Sequence, residues 1–169
     1  MNMNSRNQKG VGLMEVLVAL LLLAVGVLGF IALQLRSMDA ANEAADRTFA
    51  INIGRDLAER MRVNKIAFTQ YQDTINKNTK NISGCLASEK NPEPNCNNQK
   101  MAEFDASEIN NKAEAQGHQL RIDTCKGSET LNCIYVAWGD TDIEKSLDDC
   151  ITNEGIYKPN SQCLVMEAY

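Results

Sequence analysis

The chain has 169 residues, the length of a single domain, and its 17 Lys or Arg residues are outnumbered by 22 Asp or Glu residues. The resulting net charge of −5 argues against nucleic acid as a partner, because nucleic-acid-binding domains present basic surfaces to the phosphates. Aromatic residues make up only 5% of the chain, so a core must depend on aliphatic side chains.

The first predicted element is an apolar helix close to the N-terminus. Residues 1–10 are polar and include Arg6 and Lys9, whereas residues 16–33 form an uninterrupted run of uncharged, almost wholly apolar side chains. A helix needs about 20 such residues to cross a bilayer. The basic flank predicts that the N-terminus stays in the cytoplasm and that the rest of the chain is exported.

Two ordinary explanations of this segment are a cleaved signal peptide and a plain membrane anchor. The apolar run is longer than the roughly 7–15 residues of a signal peptide, and residues 24–32 offer no convincing cleavage site. A plain anchor explains everything except Glu15, a carboxylate at the start of the apolar segment. Charged groups in membrane spans are costly and usually have a partner. Glu15 alone is weak evidence against a plain anchor, so its spacing from neighbouring residues is the stronger indication.

Glu15 is the fifth residue after Gly10, and the apolar Val11 follows that glycine directly. This pattern resembles the class III leader of type IV prepilins, in which a prepilin peptidase cuts after the glycine. The resemblance implies cleavage between Gly10 and Val11 and N-methylation of Val11, where Phe is the usual residue. A protonated amine in an apolar helix bundle needs a counter-charge. The resemblance implies that Glu15 supplies this charge to the amine of a neighbouring subunit during assembly.

Beyond the apolar run, a helical pattern continues without proline to residue 64, with apolar residues recurring every three or four positions. We therefore predict one long helix over about residues 11–62. Its closing stretch, "GRDLAERMRVN" at residues 54–64, resembles the end of this helix in PilV-type minor pilins of type IV pili. The stretch "MAEFDASEI" at residues 101–109 weakly resembles the next helix of that family.

The remaining elements are shorter. Alternating apolar and polar side chains predict strands, and apolar residues at every third or fourth position predict helices. The predicted elements are a short helix over 65–80, an amphipathic helix over 101–116, and strands over 118–125, 133–139 and 163–169, with a polar, turn-rich stretch over 140–162. Leu120 and Ile122 share one side of the first strand, and Ile134, Val136 and Trp138 share one side of the second.

This order predicts an α+β fold in which a long N-terminal helix, transmembrane in its first half, packs by its second half on a small antiparallel sheet, as in type IV pilins. The predicted divisions are a leader peptide (1–10), a transmembrane assembly helix (11–34) and a periplasmic or extracellular head (35–169) that includes the second half of the long helix.

Six cysteines follow the apolar run, and an even number beyond a membrane segment predicts disulfides in an oxidising compartment. Six cysteines allow many connectivities, of which neighbour pairing is the simplest: Cys85–Cys96, Cys125–Cys133 and Cys150–Cys163. A metal site is disfavoured because the chain has no C-x-x-C pair and only one histidine, His118, which we expect at the edge of a strand. We predict no cofactor. Asp105 and Glu108 lie one helix turn apart, and acids with this spacing usually sit on a solvated face.

The sequence contains no catalytic constellation, so an enzyme is disfavoured. The resemblance implies a minor pilin that is incorporated at low copy number into a priming or tip complex and promotes pilus assembly. The implied partners are other minor and major pilins, the prepilin peptidase and the inner-membrane assembly machinery. The chain would lie in the inner membrane before assembly and at the cell surface afterwards. The alternatives are a type II secretion pseudopilin and a pilus-associated adhesin or binding module.

Overall fold

The structure is a computed structural model that describes residues 12–87, 92 and 95–168. It divides into two compact units between Ala44 and Ala45. The helix α1 (Leu13–Val63) makes up nearly all of the described part of the first unit and opens the second. The other elements are a 3-10 turn (Lys65–Ala67), α2 (Phe68–Asn76), α3 (Asn98–Ala115), β1 (Gln119–Thr124), β2 (Asn132–Ala137) and β3 (Cys163–Glu167).

In the first unit, every described residue is exposed, although most of them are apolar. Leucine and alanine favour the helical conformation, and the apolar run at residues 16–33 has no polar side chains that could compete for backbone hydrogen bonds. By length and composition, this part of α1 is able to cross a membrane. A helix that is apolar on all sides needs lipid or other apolar helices around it.

The main core of the second unit lies between the helices and one face of the sheet. The side chains of Leu57 and Met61 on α1, Tyr71 on α2 and Ile109 on α3 are completely buried, and they belong to one cluster with apolar residues of the sheet. Burying an aliphatic side chain of this size stabilises a fold by about 1.5–3 kcal/mol. This cluster therefore holds the second part of α1 against the rest of the unit.

The three strands form an antiparallel sheet in the order β1-β2-β3. Ile122 on β1 and Ile134 on β2 are direct partners in the register, and both belong to the core cluster with Val136. The one-sided arrangement predicted for these strands is confirmed, and so is the α+β, pilin-like fold class. Gly54 on α1 permits close contact with the sheet, because a Cβ there would lie 2.8 Å from the Sδ atom of Met166.

The stretch 140–162 is not the purely polar segment that its composition predicts. Ile143, Leu147 and Ile151 are buried in a second apolar cluster with Tyr135 and the half-cystines Cys125, Cys133, Cys150 and Cys163. These three residues are spaced four apart, as on a helix, but the stretch forms turns and not a helix. The polar residues that surround them led to the polar prediction. Both faces of the sheet are therefore covered.

Side chains close both edges of the sheet. On β1, the Ile122 N–H donates to Asn76 Oδ1 at 2.8 Å, and Asn76 Nδ2 donates to the Ile122 carbonyl at 2.8 Å. On β3, the Val165 N–H donates to the Tyr157 hydroxyl at 3.0 Å. Open strand edges invite pairing with other chains. These side-chain contacts occupy backbone groups that another strand would use.

The helix α3 begins at Asn98, three residues before its predicted start. Asn97 is the reason, because its side chain accepts a hydrogen bond from the Lys100 N–H at 2.9 Å and so caps the helix. Residues 98–100 are polar and lack the apolar spacing by which helices are recognised, so the predicted start was residue 101.

We expect Leu57→Ala to lower the free energy of unfolding by about 2–5 kcal/mol, because it leaves a cavity in the main core. The matched control is Leu86→Ala, at a leucine that is 63% exposed, which should change stability by less than about 0.5 kcal/mol. Denaturant unfolding of the full chain in detergent, followed by near-ultraviolet circular dichroism, measures both. Equal effects of the two substitutions would contradict the position of Leu57 in the core.

Candidate functional site

The predicted processing site, Gly10 and Val11, lies outside the residues that the structure describes. Glu15 is described and lies in the first turn of α1, where its side chain is exposed. Its N–H donates to the Gly12 carbonyl at 2.9 Å, so the helix has begun by this point. A carboxylate in a first turn also interacts favourably with the helix dipole. The carboxylate is accessible to a group on another molecule.

The side chains of the "DLAERMR" segment, residues 56–62, make two kinds of contact. Leu57 and Met61 are four residues apart and point into the core. Asp56 and Arg60 are also four residues apart, on an adjacent side of α1, and form an ion pair with Arg60 Nε 2.8 Å from Asp56 Oδ1. The spacing of the segment therefore combines core packing with a charged contact on the same two helix turns.

The ion pair belongs to a network that joins three helices. Arg60 Nη1 also donates to Asp105 Oδ1 on α3, and the Tyr71 hydroxyl on α2 donates to Asp105 Oδ2 at 2.9 Å. Lys112 Nζ on α3 donates to Asp56 Oδ2 at 3.2 Å. Each carboxylate thus accepts hydrogen bonds at both of its oxygens. We call this set of five residues the helix network.

Hydrogen bonds between opposite charges keep Asp56 and Arg60 of the helix network ionised. Burial raises the pKa of the Asp56 carboxyl, but hydrogen bonds from Arg60 and Lys112 outweigh burial and hold that pKa below its usual value. Burial lowers the pKa of Arg60, and its two carboxylate partners outweigh this effect and raise it. Burial and the hydrogen bond to Asp105 both raise the pKa of Tyr71, so its hydroxyl remains a donor.

The position of Asp105 corrects the prediction of a solvated face. Its side chain is only 17% exposed and pairs with a residue 45 positions earlier in the chain. No local pattern reveals a partner at that distance. The only sequence signal was the weak family resemblance of residues 101–109, which marked this helix without indicating which side of it faces α1.

His118 is the second residue that sequence reasoning missed. It is 4% exposed and packs between the rings of Phe49 and Trp138, with centroid distances of 4.7 and 5.8 Å. Its Nδ1 lies 2.9 Å from the Gln116 carbonyl oxygen, and its Nε2 lies 3.2 Å from the Asp46 carbonyl oxygen. It therefore ties the start of β1 to α1 and is not a strand-edge residue.

All six cysteines form disulfides, and each pairs with its neighbour along the chain. The Cα atoms of the pairs Cys85–Cys96, Cys125–Cys133 and Cys150–Cys163 are 5.6, 4.9 and 5.8 Å apart. The second pair spans the turn between β1 and β2, and the third fastens the 140–162 stretch to β3. Such short loops add to the stability of a small head by restricting its unfolded chain.

These features define a disulfide-bonded α+β head together with an apolar, exposed N-terminal helix. Residues 5–31 match the prokaryotic N-terminal methylation motif, which places the chain in the class of proteins with a prepilin-type N-terminus. Residues 32–107 match the type IV pilin Tt1218 family model, a range that contains the whole "DLAERMR" segment. The two consecutive matches support a type IV pilin. Comparisons with curated proteins and with solved structures gave no match.

The resemblance to type IV prepilins is thereby confirmed, whereas the PilV subtype stays a prediction. Proteins of this family are structural subunits of pili. The family implies that the chain assembles with other pilins, that a prepilin peptidase recognises its leader, and that a membrane-anchored form precedes the surface pilus.

We expect Asp56→Asn to destabilise the head at neutral pH and to flatten its loss of stability in acid. The folded-state pKa of Asp56 lies below the unfolded value of about 3.9, so its contribution is fully present above that value. The contribution is lost as pH falls through the lower, folded-state pKa.

Urea unfolding of both proteins between about pH 6 and about pH 2 measures this effect. The difference between the midpoints of wild type and Asp56→Asn should shrink toward the acidic end. The control is Asp140→Asn, at an exposed carboxylate in the polar loop. A difference that stays constant over the whole range would contradict the paired state of Asp56.

Proposed function

We propose that this pilin is a minor pilin of the PilV type, incorporated at low copy number into a priming or tip complex that promotes pilus assembly. The observation that carries the finer assignment is the "DLAERMR" segment at residues 56–62, which resembles the helix end of PilV-type proteins. Its side chains build both the α1 core contact and the helix network. The segment is thus explained by the fold of this head.

In the proposed mechanism, removal of residues 1–10 leaves an α-amine on Val11, directly before the apolar helix. An amine taken out of water into a bundle of apolar helices is destabilised unless an anion pairs with it. Glu15 is the first carboxylate after the proposed cleavage site, and its side chain is exposed. Pairing with the amine of a neighbouring subunit would therefore favour one register of packing along the filament.

The proposed topology follows from the apolar helix and the basic residues before it. Residues 1–10 would be the cytoplasmic leader, residues 11–34 the membrane-spanning assembly helix, and residues 35–169 the exported head. The three disulfides support export, because such bonds persist in oxidising compartments. The proposed partners are other minor and major pilins and the inner-membrane assembly machinery.

A pseudopilin of type II secretion is the second candidate, because pseudopilins carry similar leaders. The two candidates differ in where the protein acts. A minor pilin is found in sheared pili, and its deletion reduces piliation, whereas deletion of a pseudopilin blocks protein secretion. Loss of secretion with normal piliation would overturn the proposed function.

The mature chain should begin at N-methyl-Val11. Mass spectrometry of the N-terminal peptide from the membrane fraction should recover this form, and Gly10→Val should abolish it by blocking the cut. Gly12→Ala is the matched control and should be processed normally, since it lies beyond the proposed cleavage site. Recovery of intact Met1, or of a cut within residues 24–32, would contradict the processing proposal.

Glu15→Ala should reduce incorporation into sheared pili by about tenfold or more, because a neighbouring amine loses its counter-charge. Membrane insertion should be unaffected or easier without an acid in the apolar run. Quantitative immunoblotting of pilus and membrane fractions measures incorporation at equal membrane amounts. The control is Asp39→Ala, an exposed carboxylate farther along α1. Equal incorporation of Glu15→Ala and wild type would show that the carboxylate is dispensable.

A further inference from the structure

We infer that the outer side of α1 in the second unit is a docking surface for a carboxylate-rich surface of a neighbouring pilin head. We call this surface the arginine face and define it by Arg47, Arg55 and Arg62 together with Val63 and Ile66, all of them exposed. The inference rests on the proposed function, since it names the chemistry of one partner in the pilus.

The three arginines follow one side of the helix. Arg55 is eight residues after Arg47, and Arg62 is seven residues after Arg55. At 3.6 residues per turn and 1.5 Å per residue, they lie within an arc of about 80° and are spaced by about 12 and 10.5 Å along the axis. The buried residues Leu57 and Met61 occupy another side of α1. Arg55 and Arg62 therefore point away from Leu57, by about 160° and about 140° around the axis. Arg47 is exposed but lies at the border of the core side, about 40° from Met61.

The arginines of this row lack partners within the described residues. Several other basic side chains of the unit are paired: Arg60 with two aspartates, Lys112 with Asp56, and Lys80 with Glu114. No ion pair or side-chain hydrogen bond of this kind involves Arg47, Arg55 or Arg62 in the described part of the chain. Unpaired arginines on an acidic protein leave their guanidinium donors available to an outside carboxylate.

An apolar patch lies beside the arginine row, since Val63 follows Arg62 directly and points about 100° away from it around α1. Val63 and Ile66 are each 88% exposed and line a shallow pocket of about 500 Å³ between the end of α1 and Met101 on α3. Protein interfaces combine an apolar centre with charged residues around it, and arginine is enriched there over lysine. The arginine face has this composition.

The charge of the face selects the partner. Glu59 is the one exposed acid between Arg55 and Arg62, so the row keeps a net positive charge. Arginine's planar fork of donors matches a carboxylate in geometry, which makes aspartate and glutamate its natural protein partners.

Heads of this kind can carry such a partner surface, as the 140–162 stretch of this chain shows. Six of its carboxylates are exposed, with Ile156 and Tyr157 exposed beside them in sequence: Asp140, Asp142, Glu144, Asp148, Asp149 and Glu154. Nucleic acid would be attracted to the arginines but would leave Val63 and Ile66 unused, and a lipid surface is an alternative outcome that the second test distinguishes. The combined charge and apolar area favours a protein head.

The first test is charge reversal. Arg55→Glu with Arg62→Glu should lower the amount of protein in sheared pili by about tenfold or more, with processing, membrane level and thermal unfolding unchanged. The matched control is Lys145→Glu with Lys158→Glu, which makes the same change in net charge elsewhere in the head. Equal incorporation of both double variants would overturn the inference. Absence of the wild-type protein from pili would instead overturn the proposed function.

The second test identifies the partner. A photo-cross-linking amino acid at Thr48, an exposed position about 20° from Arg55 around α1, is irradiated in intact pili, and the linked peptides are sequenced by mass spectrometry. The expected product joins this head to a peptide with several Asp or Glu residues from a different head that carries a prepilin leader. Cross-links to phospholipid, to nucleic acid or to basic peptides only, or the lack of any product, would overturn the inference.

Discussion

The exposed apolar surface of α1 is the constraint on which the other features depend. Most described residues before Ala44 are apolar, and all of them are exposed. Apolar surface in water costs about 25 cal/mol per Å², so this segment must be covered by lipid or by other apolar helices. The need for cover fits a membrane-anchored pilin that is then assembled into a surface pilus.

The head meets a different constraint, because its sheet has only three strands and the chain has few aromatic residues. The fold covers both faces of this sheet, one with the helices and the other with the 140–162 stretch. The disulfide Cys150–Cys163 joins that stretch to β3 and adds to its stability. Asn76 and Tyr157 then occupy backbone groups at the two sheet edges. A small sheet can thus persist in this head without pairing with other strands.

The sequence predicted the features that local spacing determines and missed those that distant contacts determine. The long helix, the three strands and the inward positions of Ile122, Ile134 and Val136 follow from periodicity, and the structure confirms them. The pairing of Asp105 with Arg60 and the burial of His118 depend on residues 45 and 72 positions away. No periodic pattern encodes such partners. Gly10 and Val11 lie outside the described residues, so their processing stays a prediction that the motif supports.

Arg60 and Arg62 show how one short segment serves two levels of organisation. The two residues are separated by Met61, and successive residues of a helix point in directions about 100° apart. Arg60 is turned toward Asp105 on α3 and also pairs with Asp56 on α1, so its charge contributes to the fold of its own head. Arg62 is turned to solvent and is exposed, so its charge is available to another molecule. Two arginines two positions apart can therefore be required for different reasons. A resemblance between sequences alone does not distinguish these reasons.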